Sequence, residues 1–250
     1  MKVTLLQTDV KWANPAANVE QAEQLIQACP EADLYVLPEM WATGFATEPQ
    51  AIAEQEEQSI ALSWMKRTAS QRGCALSGSL LVRTQDGSYR NRHYFVCEDG
   101  VSYYDKHHLF TFGHEDRFIT AGQTPVMVEY QDRIFLLLTC YDLRFPVWAR
   151  YGTVGMYDAI IIVANWPERR QQAWNVLTRA RAIENQSYLI GCNRVGDDQF
   201  CHYKGESVVC DSQGNTLLYS NDLPGAYTTE IDFEAQDAMR ARFRVLDDRD

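Results

Sequence analysis

Positive charge is scarce in this sequence. Lys and Arg number 23 against 34 Asp and Glu, a formal net charge of −11. Nucleic acid and anionic membranes are held by clustered Lys and Arg, so neither is expected as a partner, and the surplus acid reads as solubility. Long apolar runs are missing as well. None approaches the roughly 20 residues that cross a bilayer, and Met1–Gln7 enters a strand with no apolar signal region before it. The seven cysteines (29, 74, 97, 140, 192, 201 and 210) are odd in number and contain no CxxC pair. A disulfide framework is therefore not expected, and a reducing cytoplasm is. His107, His108 and His114, and the pair Cys201-His202, lack the ligand spacing of a zinc module. They read as loop histidines on a polar surface, and no metal is expected. Internal repeats, low-complexity tracts and Pro/Ser linkers are also absent, so residues 1–250 read as one domain.

What is present is apolar residue in quantity: 46% of the chain, enough to bury a substantial core and to exclude disorder. Strand-like and helix-like segments alternate throughout. Val19, Ala22, Leu25 and Ile26 predict a helix over 17–28, started by Asn14-Pro15. Leu62, Met65 and Ala69 predict a second over 60–71, stopped by Gly73. A third is expected near 171–185. Strands are expected at 75–82, 92–96, 101–105, 134–139, 159–164, 188–195, 206–211, 216–219 and 226–231. That is more strand than one sheet with helices on both faces needs. Two sheets packed face to face with helices outside would bury every sheet face, although pattern alone does not separate this from a single doubly wound sheet.

Three apolar runs end in reactive groups. Ile134–Thr139 delivers Cys140 into the polar segment Tyr141-Asp142-Leu143-Arg144-Phe145-Pro146. Leu34-Tyr35-Val36-Leu37-Pro38 ends in Glu39, and Val101–Asp105 ends in Lys106. Strand ends are rigid supports for a nucleophile, a proton carrier and a cation, which are expected together at one edge of one sheet. A free thiol is mostly protonated at neutral pH. Glu39 could take its proton and return it to a departing amine, while Lys106 meets the developing oxyanion. Such chemistry needs no metal or organic cofactor. Taken singly, Glu39 also reads as a helix cap, Lys106 as a solvated strand end and Cys140 as a small buried hydrophobe. A histidine is the commoner partner for a thiol, and none lies near Glu39 or Cys140 in sequence.

The same residues resemble the Glu-Lys-Cys triad of the nitrilase superfamily of carbon–nitrogen hydrolases. They sit in Leu37-Pro38-Glu39-Met40 with Thr43-Gly44-Phe45, in Tyr104-Asp105-Lys106-His107-His108-Leu109-Phe110, and in Cys140-Tyr141-Asp142-Leu143-Arg144-Phe145-Pro146. Asn91-Arg92, Ala121-Gly122, Ala164-Asn165-Trp166-Pro167, 179–185 and 193–196 extend the match in order along nearly the whole chain. The resemblance implies an α/β fold, a four-layer α-β-β-α sandwich, with homodimers formed through the helix after the cysteine. It implies Glu39 as general base, Lys106 as oxyanion and positioning group, and Cys140 as nucleophile. It further implies the backbone N–H of Tyr141 in the oxyanion hole and Glu115 as a second glutamate beside Lys106.

Within the superfamily the wording is most similar to bacterial omega-amidases, which implies hydrolysis of a small anionic amide such as 2-oxoglutaramate or succinamate. A deaminated glutathione amidase, a carbamoylase, a nitrilase and a silent binding module of the same fold are the competing readings. Arg144, with its planar fork, is the expected carboxylate reader, unless it pairs with Asp142, Glu184 or another carboxylate as scaffold. Trp166 and Tyr141 are alternative donors to that carboxylate, and Trp41 is expected as an aromatic wall.

Overall fold

The computed structural model describes residues 1–249. Within them, one sheet holds β1 (Lys2–Gln7), β2 (Leu34–Val36), β3 (Glu54–Gln55), β4 (Ala75–Arg83), β5 (Tyr89–Cys97), β6 (Gly100–Asp105) and β15 (Gly225–Glu230), in the order β15-β1-β2-β4-β5-β6 with β3 beside β4. A second sheet holds β7 (Val126–Tyr130), β8 (Arg133–Thr139), β9 (Ala159–Ala164), β10 (Tyr188–Asn193), β13 (Val208–Cys210) and β14 (Thr216–Tyr219), in the order β14-β13-β10-β9-β8-β7. A short ribbon, β11 (Val195–Asp197) with β12 (His202–Lys204), stands apart. The helices are α1 (Pro15–Ala28), α2 (Ile60–Arg72), α3 (Gln171–Glu184) and α4 (Phe233–Arg242).

Three apolar interfaces define four layers. Val3, Leu5, Val36, Phe95, Phe135, Leu137, Ile161 and Ile190 fill the space between the sheets. Leu6, Tyr35, Leu76 and Tyr94 meet Ile26, Ala61, Trp64 and Met65 of α1 and α2. Leu136, Leu138, Ile160, Ile162 and Leu189 meet Trp174 and Ala182 of α3. Strands buried on both faces read as unbroken apolar runs, which is why Ile134–Leu138 and Ala159–Ala164 carry no alternation. The question left open between one doubly wound sheet and a sandwich is thereby answered: the fold is an α-β-β-α sandwich.

Local signals set the helix ends. Asn14 Oδ1 accepts from Ala17 N and Pro15 occupies the first turn, so α1 begins two residues before the expected start. Ser59 Oγ caps α2, and Gly73 ends it with φ +60°. α4 was not anticipated, because only Phe233 and Gln236 of its residues are buried and no apolar stripe announces it. The edge strand β7 and the β11–β12 ribbon were likewise not expected.

One polar group ties the two sheets. His93 on β5 is completely buried; its Nδ1 donates to Leu138 O on β8 (3.0 Å), and Ser77 Oγ donates to its Nε2 (2.8 Å). Burial lowers the His93 pKa from its ordinary 6.5 to about 4. The unfolded chain therefore binds more protons than the fold between pH 6.5 and 4. Stability is full above pH 6.5 and falls as pH drops toward 4, by ~3 kcal/mol for this residue. Urea unfolding of the protein and of His93→Gln at several pH values should show a shallower acid slope in the variant. Equal slopes would remove His93 from the acid response.

Candidate active site

Glu39, Lys106 and Cys140 come together, but not along one sheet. β2 ends at Val36, and Leu37 N and Trp41 N continue the pairing by donating to Ser77 O (2.7 Å) and Ser79 O (3.1 Å), which places Glu39 beyond the strand. Lys106 follows β6, and its N–H donates to Asn91 O on β5 (3.0 Å). Both belong to the first sheet. Cys140 follows β8 of the second, so the expected single edge is in fact the seam between two sheets. The correction is topological: face-to-face stacking brings the carboxyl ends of β2 and β8 to the same end of the sandwich, which no strand pattern reports. The register of β8 with β9 (Thr139↔Val163) sets Asn165 beside Cys140.

Behind the thiol lies a closed, fully buried polar ring. Lys106 Nζ donates to Glu39 Oε1 (2.8 Å) and to Glu115 Oε2 (2.8 Å). Asn91 Nδ2 donates to Glu39 Oε1 (2.8 Å) and to Glu115 Oε1 (3.0 Å). Phe110 N completes the environment of Glu115 Oε2 (2.7 Å). Among the described residues Glu39 Oε2 accepts only from Asn165 N (2.9 Å), which leaves it a lone pair. Asn165 Nδ2 also holds the Glu39 carbonyl (2.8 Å), and its own carbonyl lies 4.0 Å from Cys140 Sγ.

Electrostatics follow from the burial of two carboxylates around one ammonium. Burial alone would depress Lys106, but the charges of Glu115 and Glu39 outweigh it and hold the amine protonated. Burial raises Glu115 against the opposing pull of Lys106. The Cys140 thiol is pushed well above its usual value, first by burial and then by the neighbouring Glu39 charge, with Lys106 opposing. The resting thiol is therefore protonated and needs an acceptor for its proton.

Cys140 has φ +46°, a left-handed conformation that costs a non-glycine residue of order 1 kcal/mol or more and persists only where the surroundings impose it. Asp142, two residues on, imposes it. Its carboxylate accepts from Thr139 N (3.0 Å), Tyr104 OH (2.8 Å), His108 N (3.0 Å) and His108 Nδ1 (2.8 Å). Tyr104 OH in turn accepts from His107 N and Trp148 Nε1. The nucleophile turn and the lysine loop are thus tied through one buried acid. His107 and His108 are not the surface histidines expected: they stack on Trp148 and Phe145 at 3.7 Å between ring centroids. Cys140 hydrogen-bonds no histidine among the described residues.

A cavity of about 380 Å³ opens over Cys140, Tyr141 and Asn165, with Phe45, Phe110 and Trp166 in its wall and the exposed rings of Phe112 and Phe200 at its rim. Arg144 lines it. Neither expected scaffold partner is available, since Asp142 is engaged as above and Glu184 pairs with Arg181 (2.9 Å). Among the described residues Arg144 makes no ion pair, and its guanidinium lies 5.0 Å over the Trp166 ring. Arg170, which the sequence did not single out, also lines the cavity without a carboxylate partner, 4.9 Å over Phe110. Its signal was only the charge pair Arg169-Arg170 after Ala164-Asn165-Trp166-Pro167.

Two substrate-site expectations are corrected. Trp41 does not face the cavity: it is completely buried against Trp64 of α2, rings 5.4 Å apart, on the outer face of the first sheet. Met40 adopts φ +42° and turns the chain, so the residue after it points away from Glu39; Phe45 supplies the aromatic wall instead. Trp166 is in the wall, but its indole N–H donates to Arg170 O (2.8 Å) and is not free for a ligand.

Known proteins agree with this geometry. The carbon-nitrogen hydrolase family model matches residues 2–241. Omega-amidase YafV of Escherichia coli (strain K12) is 40% identical over 246 residues, 98% of this chain and 93% of that protein. The 2-oxoglutaramate amidase of Bacillus subtilis (strain 168) is 33% identical over 250 residues, 98% of this chain and 96% of that protein. The crystal structure of XC1258 from Xanthomonas campestris, a CN-hydrolase superfamily protein with an arsenic adduct in the active site, superposes with a TM-score of 0.95 at 35% identity, covering 100% of this chain and 97% of that one. A half-buried thiol, two glutamates and a lysine at the seam of an α-β-β-α sandwich, on a chain with these relatives, place it in the carbon–nitrogen hydrolase family.

Proposed function

We propose that this protein is a cysteine-dependent amidase that hydrolyses the terminal amide of a small dicarboxylate monoamide, 2-oxoglutaramate or succinamate, to the acid and ammonia. The observation that carries the chemistry is the free lone pair of Glu39 Oε2 beside a protonated thiol, with Oε1 already holding Lys106 and Asn91. As Cys140 Sγ attacks the amide carbon, Glu39 Oε2 takes the thiol proton. The carbonyl becomes an oxyanion, met by the third N–H of Lys106 and the backbone N–H of Tyr141 at the start of its short helical turn. Glu39 passes its proton to the amide nitrogen, the C–N bond breaks, and ammonia leaves a thioester on Cys140. Water then attacks the thioester carbon, giving its proton to Glu39 Oε2. The C–S bond breaks, and the proton returns to sulfur. Glu115 accepts from Lys106 Nζ and holds the ammonium in place.

The anionic end of the substrate is read by Arg144. A chain of net charge −11 that points two unpaired guanidiniums, Arg144 and Arg170, into one apolar-walled cavity supports an anionic ligand there. Arg144 shares its turn with Cys140, so carboxylate and scissile carbon are indexed to the same rigid element. Arg144→Lys keeps the charge and loses the fork. KM for succinamate should rise at least about tenfold, while KM for the neutral butyramide barely moves. An equal loss on both, with a lowered melting temperature, would show that the carboxylate is read elsewhere. Ammonia release from succinamate, 2-oxoglutaramate, a carbamoyl amino acid and an aliphatic nitrile separates this reading from its competitors in the family.

The chain acts as one catalytic domain, in the cytoplasm and as a homodimer. Seven free cysteines suit a reducing compartment. No helix among the described residues is long and apolar enough to cross a membrane. Val176 and Ile183 on the outer face of α3, with Tyr219 of β14, leave apolar surface for a second copy. Light scattering that gave a monomer at micromolar concentration would remove the dimer.

A further inference from the structure

We infer that Asn91 is a positioning residue that decides which oxygen of Glu39 carries the proton in flight. This rests on Glu39 being the base, as proposed above. Asn91 is 1% exposed and donates both N–H groups of a single amide, one to each glutamate. Its orientation is not free. Ser79 Oγ donates to Asn91 Oδ1 (2.8 Å), and Met40 N donates to Ser79 Oγ (2.8 Å). Met40 follows Glu39 directly and holds φ +42°. The strained turn after the base thus sets a serine hydroxyl, which sets the amide, which returns to the base.

The consequence is an asymmetry between the two oxygens of Glu39. Oε1 accepts from Lys106 Nζ and Asn91 Nδ2, so a proton placed there would have to displace one of two donors. Oε2 accepts only from Asn165 N, whose carbonyl neighbours Cys140 Sγ. The proton taken from the thiol is therefore kept on Oε2, the oxygen on the sulfur side, from which the amide nitrogen can receive it. Lys106 alone does not secure this, because its three N–H groups must serve two carboxylates and the oxyanion. The titratable groups facing Asn91 are Glu39, Glu115 and Lys106, with Cys140 beyond Glu39 and His93 two residues along β5. The flanking Arg90 and Arg92 point to the other face, where Arg92 pairs with Asp105 (2.7 Å) and Glu56 (2.6 Å).

Asn91→Leu removes both donors while keeping the branched shape of the side chain. It should lower kcat for succinamate by about 10²-fold or more while KM changes by no more than about threefold. The acid limb of kcat/KM should move to higher pH, because carboxylates that lose N–H donors hold their protons more tightly. An ester whose leaving group needs no protonation isolates proton delivery. The burst of nitrophenolate from mono-4-nitrophenyl succinate should stay within about tenfold of wild type, so the amide-to-ester ratio collapses. Ser79→Ala, which frees the amide to turn and takes the acceptor from Met40 N, should shift the same ratio in the same direction by less. If Asn91→Leu and Ser79→Ala depress amide and ester equally with an unmoved acid limb, Asn91 is scaffold and the inference falls. If Glu39→Gln itself leaves turnover intact, the base has been misassigned, and that outcome is read separately from the Asn91 ratio.

Discussion

Cys140→Ala should abolish ammonia release, by at least about 10⁴-fold, and leave the melting temperature within a few degrees of wild type. Both halves follow from where the sulfur sits. The side chain lines the cavity at the edge of the core beneath the second sheet, so truncation mainly enlarges an existing space instead of opening a closed void. The turn that carries it is held by Asp142 through Thr139 N, Tyr104 and His108, none of which touches the thiol, and alanine meets the same φ +46° requirement that cysteine does. What disappears is the sulfur expected to form the acyl bond. Wild-type protein quenched during turnover of a slow amide should carry one acyl mass on the peptide containing Cys140. Cys201 is the competitor to exclude, because it lines the same cavity, whereas Cys192 is completely buried. An adduct on Cys201 that persists in Cys140→Ala would overturn the assignment.

Glu39→Gln should lower kcat by roughly 10²–10⁴-fold, the usual range for one acid–base group, with KM little changed. The upper end is expected because the same oxygen serves both half-reactions. Glutamine is nearly isosteric but cannot satisfy the donors around it. If its oxygen faces Lys106 and Asn91, its NH₂ meets the Asn165 N–H and the thiol; if it is flipped, its NH₂ meets Lys106 and Asn91. Either way a buried donor loses its acceptor, which costs about 1–3 kcal/mol of stability, so a modest fall in melting temperature should accompany the kinetic loss. Glu115→Gln is the control for a purely electrostatic effect, since it removes a Lys106 partner without touching the thiol side. Turnover of Glu39→Gln within about tenfold of wild type would mean that another group takes the thiol proton.

The two predictions differ in how far the sequence alone reaches. Glu39, Lys106 and Cys140 were legible because each closes a run of apolar, β-prone residues, and a reactive side chain at a rigid strand end is a local pattern. Glu115 was legible only through resemblance, since a loop after a lysine carries no periodicity. Asn91 belongs to the Asn91-Arg92 match, but its role has no sequence signal, because its partners lie 52 and 24 residues away on other elements. Trp41 misled for a related reason. An aromatic residue two positions from the base is an ordinary candidate for a pocket wall, yet the positive φ of Met40 turns it onto α2.

Three things were settled by the amino-acid sequence itself. They are the order of most strands, the order of most helices, and the placing of Glu39, Lys106 and Cys140 after apolar runs. Those rest on periodicity, capping and composition, which are properties of neighbours along the chain. Only the tertiary structure decided that the site is a seam between two sheets. It also decided that Asp142 locks the lysine loop to the Cys140 turn, that Arg144 and Arg170 make no ion pair among the described residues, and that one lone pair of Glu39 Oε2 stays open. Each of these depends on which distant groups share a desolvated space, where a buried donor or acceptor must find a partner or remain open for a ligand. Linear pattern cannot encode that choice, because it is made by the stacking of sheets that meet nowhere in sequence.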